Sequence, residues 1–133
     1  MYIPPAFKVD DRSELIAMIN AVPLAQLVTA TEDGLMATPL PLQLDASEAP
    51  HGVLYGHVAK ANPQWRSQPV GEAMAIFMGP DAYVSPSWYP MKQETGKVVP
   101  TWNYTAVHAY GAVEFFEDAD RLLALVSRLT DHH

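Results

Sequence analysis

The chain has 133 residues, with 12 prolines, no cysteine and a formal net charge of -7. The prolines are scattered from Pro4 to Pro100 and stop helices from running through the first hundred residues, which excludes a long-helix bundle. The absence of cysteine excludes disulfide scaffolds, thiolate zinc sites and Cys nucleophiles together. A single β-rich domain over residues 1–133 is expected, because a 14.6 kDa chain folds to roughly 6,900 Å² of surface from roughly 21,000 Å² unfolded. Only 17% of residues are charged, against a usual ~25%, so part of the surface is expected to be covered by another subunit.

In chain order, Asp11 and Glu14 have capping-box spacing, and Leu15, Ile16, Ile19 and Val22 recur at helical intervals until Pro23. Residues 24–31 and 35–44 flank Glu32-Asp33-Gly34 and read as a hairpin. Its second strand is edge-like, because Pro39 and Pro41 cannot donate ladder hydrogen bonds. Residues 53–58 predict a third strand, 62–68 a short helix with Pro63 in its first turn, and 72–78 a fourth strand. Gly79-Pro80-Asp81 reads as a turn into a short strand at 82–85, followed by an aromatic loop over 86–100.

From Trp102 the residues alternate. Trp102, Tyr104, Ala106, His108 and Tyr110 share one face; Asn103, Thr105, Val107, Ala109, Gly111, Val113 and Phe115 share the other. Asp118 is placed to cap a last helix with Leu122, Leu125, Val126 and Leu129 on its apolar side, before the terminal His132-His133 pair. About six strands with flanking helices predict a mainly β (α+β) fold built as a small antiparallel barrel.

The densest candidate site is His57 to Trp65, where a strand ends and a helix begins. A phosphate there would meet unpaired backbone N–H groups, the Lys60 charge and directed donors from His57 and Asn62. The bland alternative is a capped helix with a solvated lysine. The second candidate is the block of Tyr83, Trp88, Tyr89, Trp102, Tyr104 and Tyr110, suited to stacking on a planar heterocycle or to a subunit interface. No His-x-x-x-His spacing favours a metal, and no Gly-x-Ser-x-Gly, Walker or Rossmann pattern supports hydrolase or nucleotide-triphosphatase chemistry.

Charge adds a further constraint. Residues 1–45 hold two basic and six acidic groups, 46–110 four of each, and 111–133 two and five. Such a chain lacks the basic stripe needed to grip a DNA backbone unaided. With no signal-peptide pattern and no long apolar run, the expected location is the cytoplasm, away from membranes.

Four blocks carry a family resemblance: residues 1–4 (MYIP), 56–65 (GHVAKANPQW), 79–90 (GPDAYVSPSWYP) and 99–111 (VPTWNYTAVHAYG). Together they resemble the PaiB-like FMN-binding negative transcriptional regulators. The resemblance implies a six-stranded antiparallel split β-barrel, a homodimer, and FMN in the cleft between subunits. It implies that His57, Lys60 and Asn62 meet the flavin phosphate, that Thr38 and Pro39 lie along the flavin, and that Trp102 and Tyr104 pack near it or near the partner subunit. Regulation of transcription is the implied role, with DNA contact resting on family analogy alone. The alternatives are an FMN-dependent oxidoreductase of the flavin reductase or pyridoxamine phosphate oxidase type, and a cofactor-free interaction module. Members of the family continue past the point matching His133 into a segment with a Lys-rich Ser-Gln-Asn motif. The resemblance therefore implies a truncated or divergent chain, with weak or absent FMN binding if that segment completes the site.

Overall fold

A computed structural model describes residues 1–48 and 50–131. The His132-His133 pair and the Leu129 side chain, both singled out in the sequence, lie outside the described residues. Helix α1 spans Arg12–Ala21, where Asp11 Oδ1 accepts from the backbone N–H groups of Ser13 (2.7 Å) and Glu14 (3.1 Å). These bonds satisfy two of the donors orphaned at a helix start. Strands β1 (Leu24–Thr31) and β2 (Gly34–Pro41) form a hairpin in full register, from Leu24 opposite Pro41 to Thr31 opposite Gly34. Gly34 has φ 123°, which the turn requires and a side chain would resist.

The predicted strand over 35–44 divides at Leu42, whose N–H leaves the hairpin to bond Pro23 O at 2.8 Å. Beyond it, β3 (Gln43–Asp45) pairs with β4 (Val53–Tyr55) as a separate ribbon, so the predicted strand over 53–58 stops early. The predicted helix over 62–68 is a single 3-10 turn, Pro63–Arg66, capped by Asn62. Pro69 follows three residues later and leaves no room for further turns.

The two strands expected at 72–78 and 82–85 are one, β5 (Ala73–Val84). A register shift between Met78 and Asp81 absorbs Gly79 and Pro80 as a bulge, which tolerates the missing proline donor. Gly79 abuts the Thr105 side chain so closely that a Cβ would collide with it. A 3-10 turn (Pro86–Trp88) and the short helix α2 (Met91–Thr95) lead into β6 (Thr101–Gly111), and α3 (Ala119–Asp131) follows. Asp118 Oδ1 accepts from Arg121 N at 2.8 Å, as the predicted cap requires.

The fold is mainly β, with antiparallel sheets of four strands (order β2-β1-β5-β6) and two strands (β3-β4). Among the described residues no hydrogen-bonded ladder closes them into a barrel. The edge position of β2 matches the reading of Pro39 and Pro41. Ala25, Leu40, Ala75, Phe77 and Val107 from the inner sheet face pack with Ile19 of α1 and with Leu42.

Register places Leu24, Leu35, Met78, Tyr83, Trp102, Tyr104 and Tyr110 on the opposite face, and all are exposed. The chain exposes 9599 Å², well above the roughly 6,900 Å² expected of a compact monomer of this mass.

Candidate functional site

The chain has fifteen Asp and Glu residues, yet residues 49–71 contain none, while holding His51, His57, Lys60 and Arg66. The candidate loop lies inside this carboxylate-free stretch. Its backbone is tied down at both ends. Asn62 N–H donates to Ala59 O at 2.8 Å, and its side-chain Oδ1 accepts from Gln64 N at 2.9 Å. Its Nδ2 donates to Thr38 Oγ1 at 2.9 Å, joining two predicted site residues 24 positions apart.

Lys60 O accepts from Trp65 Nε1 at 3.1 Å and from Arg66 Nη2 at 3.3 Å, which folds residues 60–66 into a hook. The Arg66 guanidinium also sits 4.8 Å from the centroid of the Trp65 ring, a cation–π contact that orients it. His57, Lys60 and Arg66 are exposed, so the hook holds the backbone while leaving the basic groups facing solvent.

The deepest anchor of the loop is Gln64, which is only 1% exposed. Its Nε2 donates towards Leu27 O (3.1 Å), Thr29 Oγ1 (3.1 Å) and Met36 O (3.3 Å). Two of these acceptors are backbone carbonyls, so they require the amide nitrogen on that side and fix the orientation of the group. The other end, Oε1, is buried without a hydrogen-bond partner among the described residues. Sequence reasoning missed Gln64 because a glutamine in a Pro-Gln-Trp turn looks like a solvated polar residue. The carboxylate gap over 49–71 was the readable signal.

The seven predicted site residues do not form one cluster. Thr38 lies opposite Leu27 on the inner face and receives Asn62, whereas Pro39, opposite Gln26, faces outward. Trp102 and Tyr104 share that outward face on β6, and Trp102 meets Tyr83 edge-on at 5.7 Å. Pro39 aligns through Gln26 and Ile76 with His108. Trp102 is six residues further along β6, or roughly 20 Å, and β6 lies three strands across, or roughly 14 Å. Within this chain, therefore, Trp102 and Pro39 cannot flank the same small molecule. His57 and Lys60 stand on the loop between β4 and the 3-10 turn.

His108, on the outward face, has its Nδ1 3.5 Å from Tyr110 Oη. Burial first, and then the positive charge of the Met1 amino group, lower its pKa below the usual value for histidine. A histidine harder to protonate when folded leaves the unfolded state binding more protons, so its contribution stabilises above the unfolded value near 6.5. That contribution is lost as the pH falls through the lower folded value. The urea midpoint is therefore expected to drop between pH 7.5 and 5.5 by more in the parent chain than in His108→Gln. Equal drops would remove His108 from the account.

Among the described residues no group of three or more His, Asp or Glu could hold a metal ion. Nor is any helix among them long and apolar enough to cross a membrane.

Compared with known proteins, residues 1–133 match the family described as "Putative FMN-binding domain" over their whole length. The chain belongs to this family. It is 35% identical over 136 residues to the protease synthase and sporulation protein PAI 2 of Bacillus subtilis, a match covering 99% of this chain and 63% of that protein. The uncharacterized protein YKL070W of Saccharomyces cerevisiae is 35% identical over 100 residues, covering 74% of this chain and 59% of the relative. Protein AN0679 of Emericella nidulans is 36% identical over 146 residues, covering 90% and 58%. The chain thus spans about three fifths of the length of the curated relatives it matches.

The donor set around Lys60 suits the phosphate of FMN. A phosphate monoester near neutral pH carries close to two negative charges, and Lys60, Arg66 and His57 offer cationic and N–H donors with no carboxylate in the same stretch to repel it.

Proposed function

We propose that this chain is an FMN-binding split barrel that works as a homodimer in the cytoplasm and serves regulation. The observation that carries the flavin reading is the carboxylate-free loop, locked onto the inner sheet face through Asn62 and Gln64 while its cations face outward. In this reading Lys60, Arg66 and His57 hold the phosphate. Asn62 holds the loop to Thr38, and Pro39 lies along the ring. Bound FMN supplies the redox-active ring, and the protein supplies binding, orientation and shielding from water. The two sheets are the halves of the split barrel.

The surface arithmetic supports the dimer reading. The protomer exposes roughly 2,700 Å² more than a compact monomer would, and a standard interface covers about 800 Å² per partner. The outward aromatic face is the surface to be covered. Since Trp102 and Tyr104 cannot reach the Pro39 side of their own protomer, they serve the second subunit. The regulatory role draws on the printed name of the Bacillus relative, which concerns protease synthase and sporulation. A net charge of -7 makes a protein partner the more natural target than bare DNA.

Titration of FMN with the purified chain, followed by quenching of flavin fluorescence, tests the site. Lys60→Ala and Arg66→Ala are each expected to weaken binding by about ten- to a hundredfold, the worth of one charge-assisted contact. Unchanged affinity in both variants would move the phosphate elsewhere.

A further inference from the structure

The segment ahead of α1 holds its apolar side chains out to solvent. Tyr2 is 86% and Phe7 78% exposed, and Met1, Ile3 and Val9 are exposed with them. The backbone is nonetheless ordered. Pro4 has φ -59° and ψ 141°, the polyproline II conformation, and Phe7 N–H donates to Pro4 O at 2.9 Å, closing a 3-10 turn over Pro5–Phe7. Two consecutive prolines fix φ in advance, so docking this segment costs less conformational entropy than docking an ordinary extended chain. Lys8 Nζ and Asp10 Oδ1 meet at 2.9 Å, which matches the segment's own charges to each other.

The outward face of β6 is exposed as well, with Trp102 at 62% and Tyr104 at 57%. The Met1 amino group acts on the charge of His108, which places the start of the segment beside this strand. Two apolar surfaces of one chain thus lie near each other without covering each other, so a complement for each has to come from outside the chain. A second copy provides both at once, because every contact in a two-fold pair is made twice. The chemistry also matches: aromatic-lined faces receive proline-bearing segments held in the polyproline II conformation. An aromatic side chain carries roughly 150–250 Å², so Tyr2, Phe7, Trp102 and Tyr104 together expose roughly 400–700 Å², most of the about 800 Å² that a standard interface covers per partner.

We propose that residues 1–9 are an exchanged arm: in the pair each copy lays its own Tyr2-to-Phe7 stretch across the Trp102 and Tyr104 face of the other. The occupant of the aromatic face is therefore a second copy of this chain. The proposal rests on the homodimer reading and adds the segment that seals it. It does not depend on flavin. The arm is joined to the domain at Asp11, the cap of α1, and ten residues span up to roughly 33–36 Å, enough to cross to a neighbouring subunit.

The chain has no cysteine, so disulfide trapping tests the contact directly. Tyr2→Cys or Phe7→Cys is mixed with Trp102→Cys or Tyr104→Cys under mild oxidation. At least one mixture is expected to give a mixed disulfide between two chains, and Gln68→Cys, exposed elsewhere, is expected to give none with either arm variant. Sedimentation equilibrium of the parent and of Tyr2→Glu with Phe7→Glu then measures the pair itself. These arm residues are exposed, and the double variant should raise the dimer dissociation constant about thirtyfold or more, the effect of losing one hot-spot residue. A parent chain that sediments as a monomer would overturn the homodimer and the arm together. A dimeric parent that gives no mixed disulfide, or whose dissociation constant is unchanged in the double variant, would overturn the arm alone. So would a disulfide that forms only when both cysteines stand in one chain, since the arm would then cover its own sheet.

Discussion

Replacing Gln64 by leucine will destabilise the protein by about 2–4 kcal/mol, even though leucine is of similar size and more apolar. The side chain is buried, and its amide is the donor facing Leu27 O, Met36 O and Thr29 Oγ1. Removing a donor from buried acceptors costs about 1–3 kcal/mol for each group left unsatisfied. Gln64→Glu should be worse near neutral pH, because a carboxylate would face two carbonyl oxygens. It should recover partly as the pH falls, since burial raises a carboxyl pKa and its protonated form can donate one hydrogen bond. Gln68→Ala, at an exposed position four residues on, should stay within about 0.5 kcal/mol of the parent. Urea denaturation of the four proteins checks this. A Gln64→Leu variant as stable as the parent would show that the loop is not anchored through this amide.

Phe77→Ala is expected to cost about 3–5 kcal/mol, the usual range when a buried aromatic ring is removed from a core. Phe77 is 0% exposed and central to the cluster with Ala25, Leu40, Ala75 and Val107. Two of those neighbours are alanines, whose short side chains cannot swing in to refill the space. Phe77→Leu should lose much less, and Met78→Ala, next in the strand but 48% exposed on the outward face, should change stability by about 0.5 kcal/mol or less. Since whole domains are stable by about 5–15 kcal/mol, Phe77→Ala should also sharply lower the thermal midpoint. Similar losses in Phe77→Ala and Met78→Ala would contradict the assignment of inner and outer faces.

Elements fixed by local chemistry were legible in the sequence. Asp11 and Pro23 bracket α1, Glu32-Asp33-Gly34 turns the first hairpin, and the alternation from Trp102 marks β6. The misses depend on contacts distant in the chain. Gly79-Pro80 reads as a turn, but pairing with β6 carries β5 through it as a bulge, a choice made by the partner strand. The split at Leu42 depends on Pro23 O, and the 3-10 turn at Pro63–Arg66 is held by Gln64 reaching a hairpin some 30 residues earlier.

The candidate site divides in the same way. Asn62 as a cap was readable from its neighbours, while its bond to Thr38 was not a matter of spacing. Thr38 and Pro39, adjacent in one strand, face opposite ways by simple alternation, so their separation followed from the strand assignment itself.

If the loop around Lys60 holds the flavin phosphate, FMN and riboflavin, which lacks only the phosphate, will bind differently. Binding of each to the 133-residue chain can be followed through the visible absorption of the flavin. FMN is expected to bind at least about tenfold more tightly, with the advantage weakening as salt screens the exposed Lys60 and Arg66 charges. Equal affinity for the two flavins, or no spectral change with FMN at all, would contradict it.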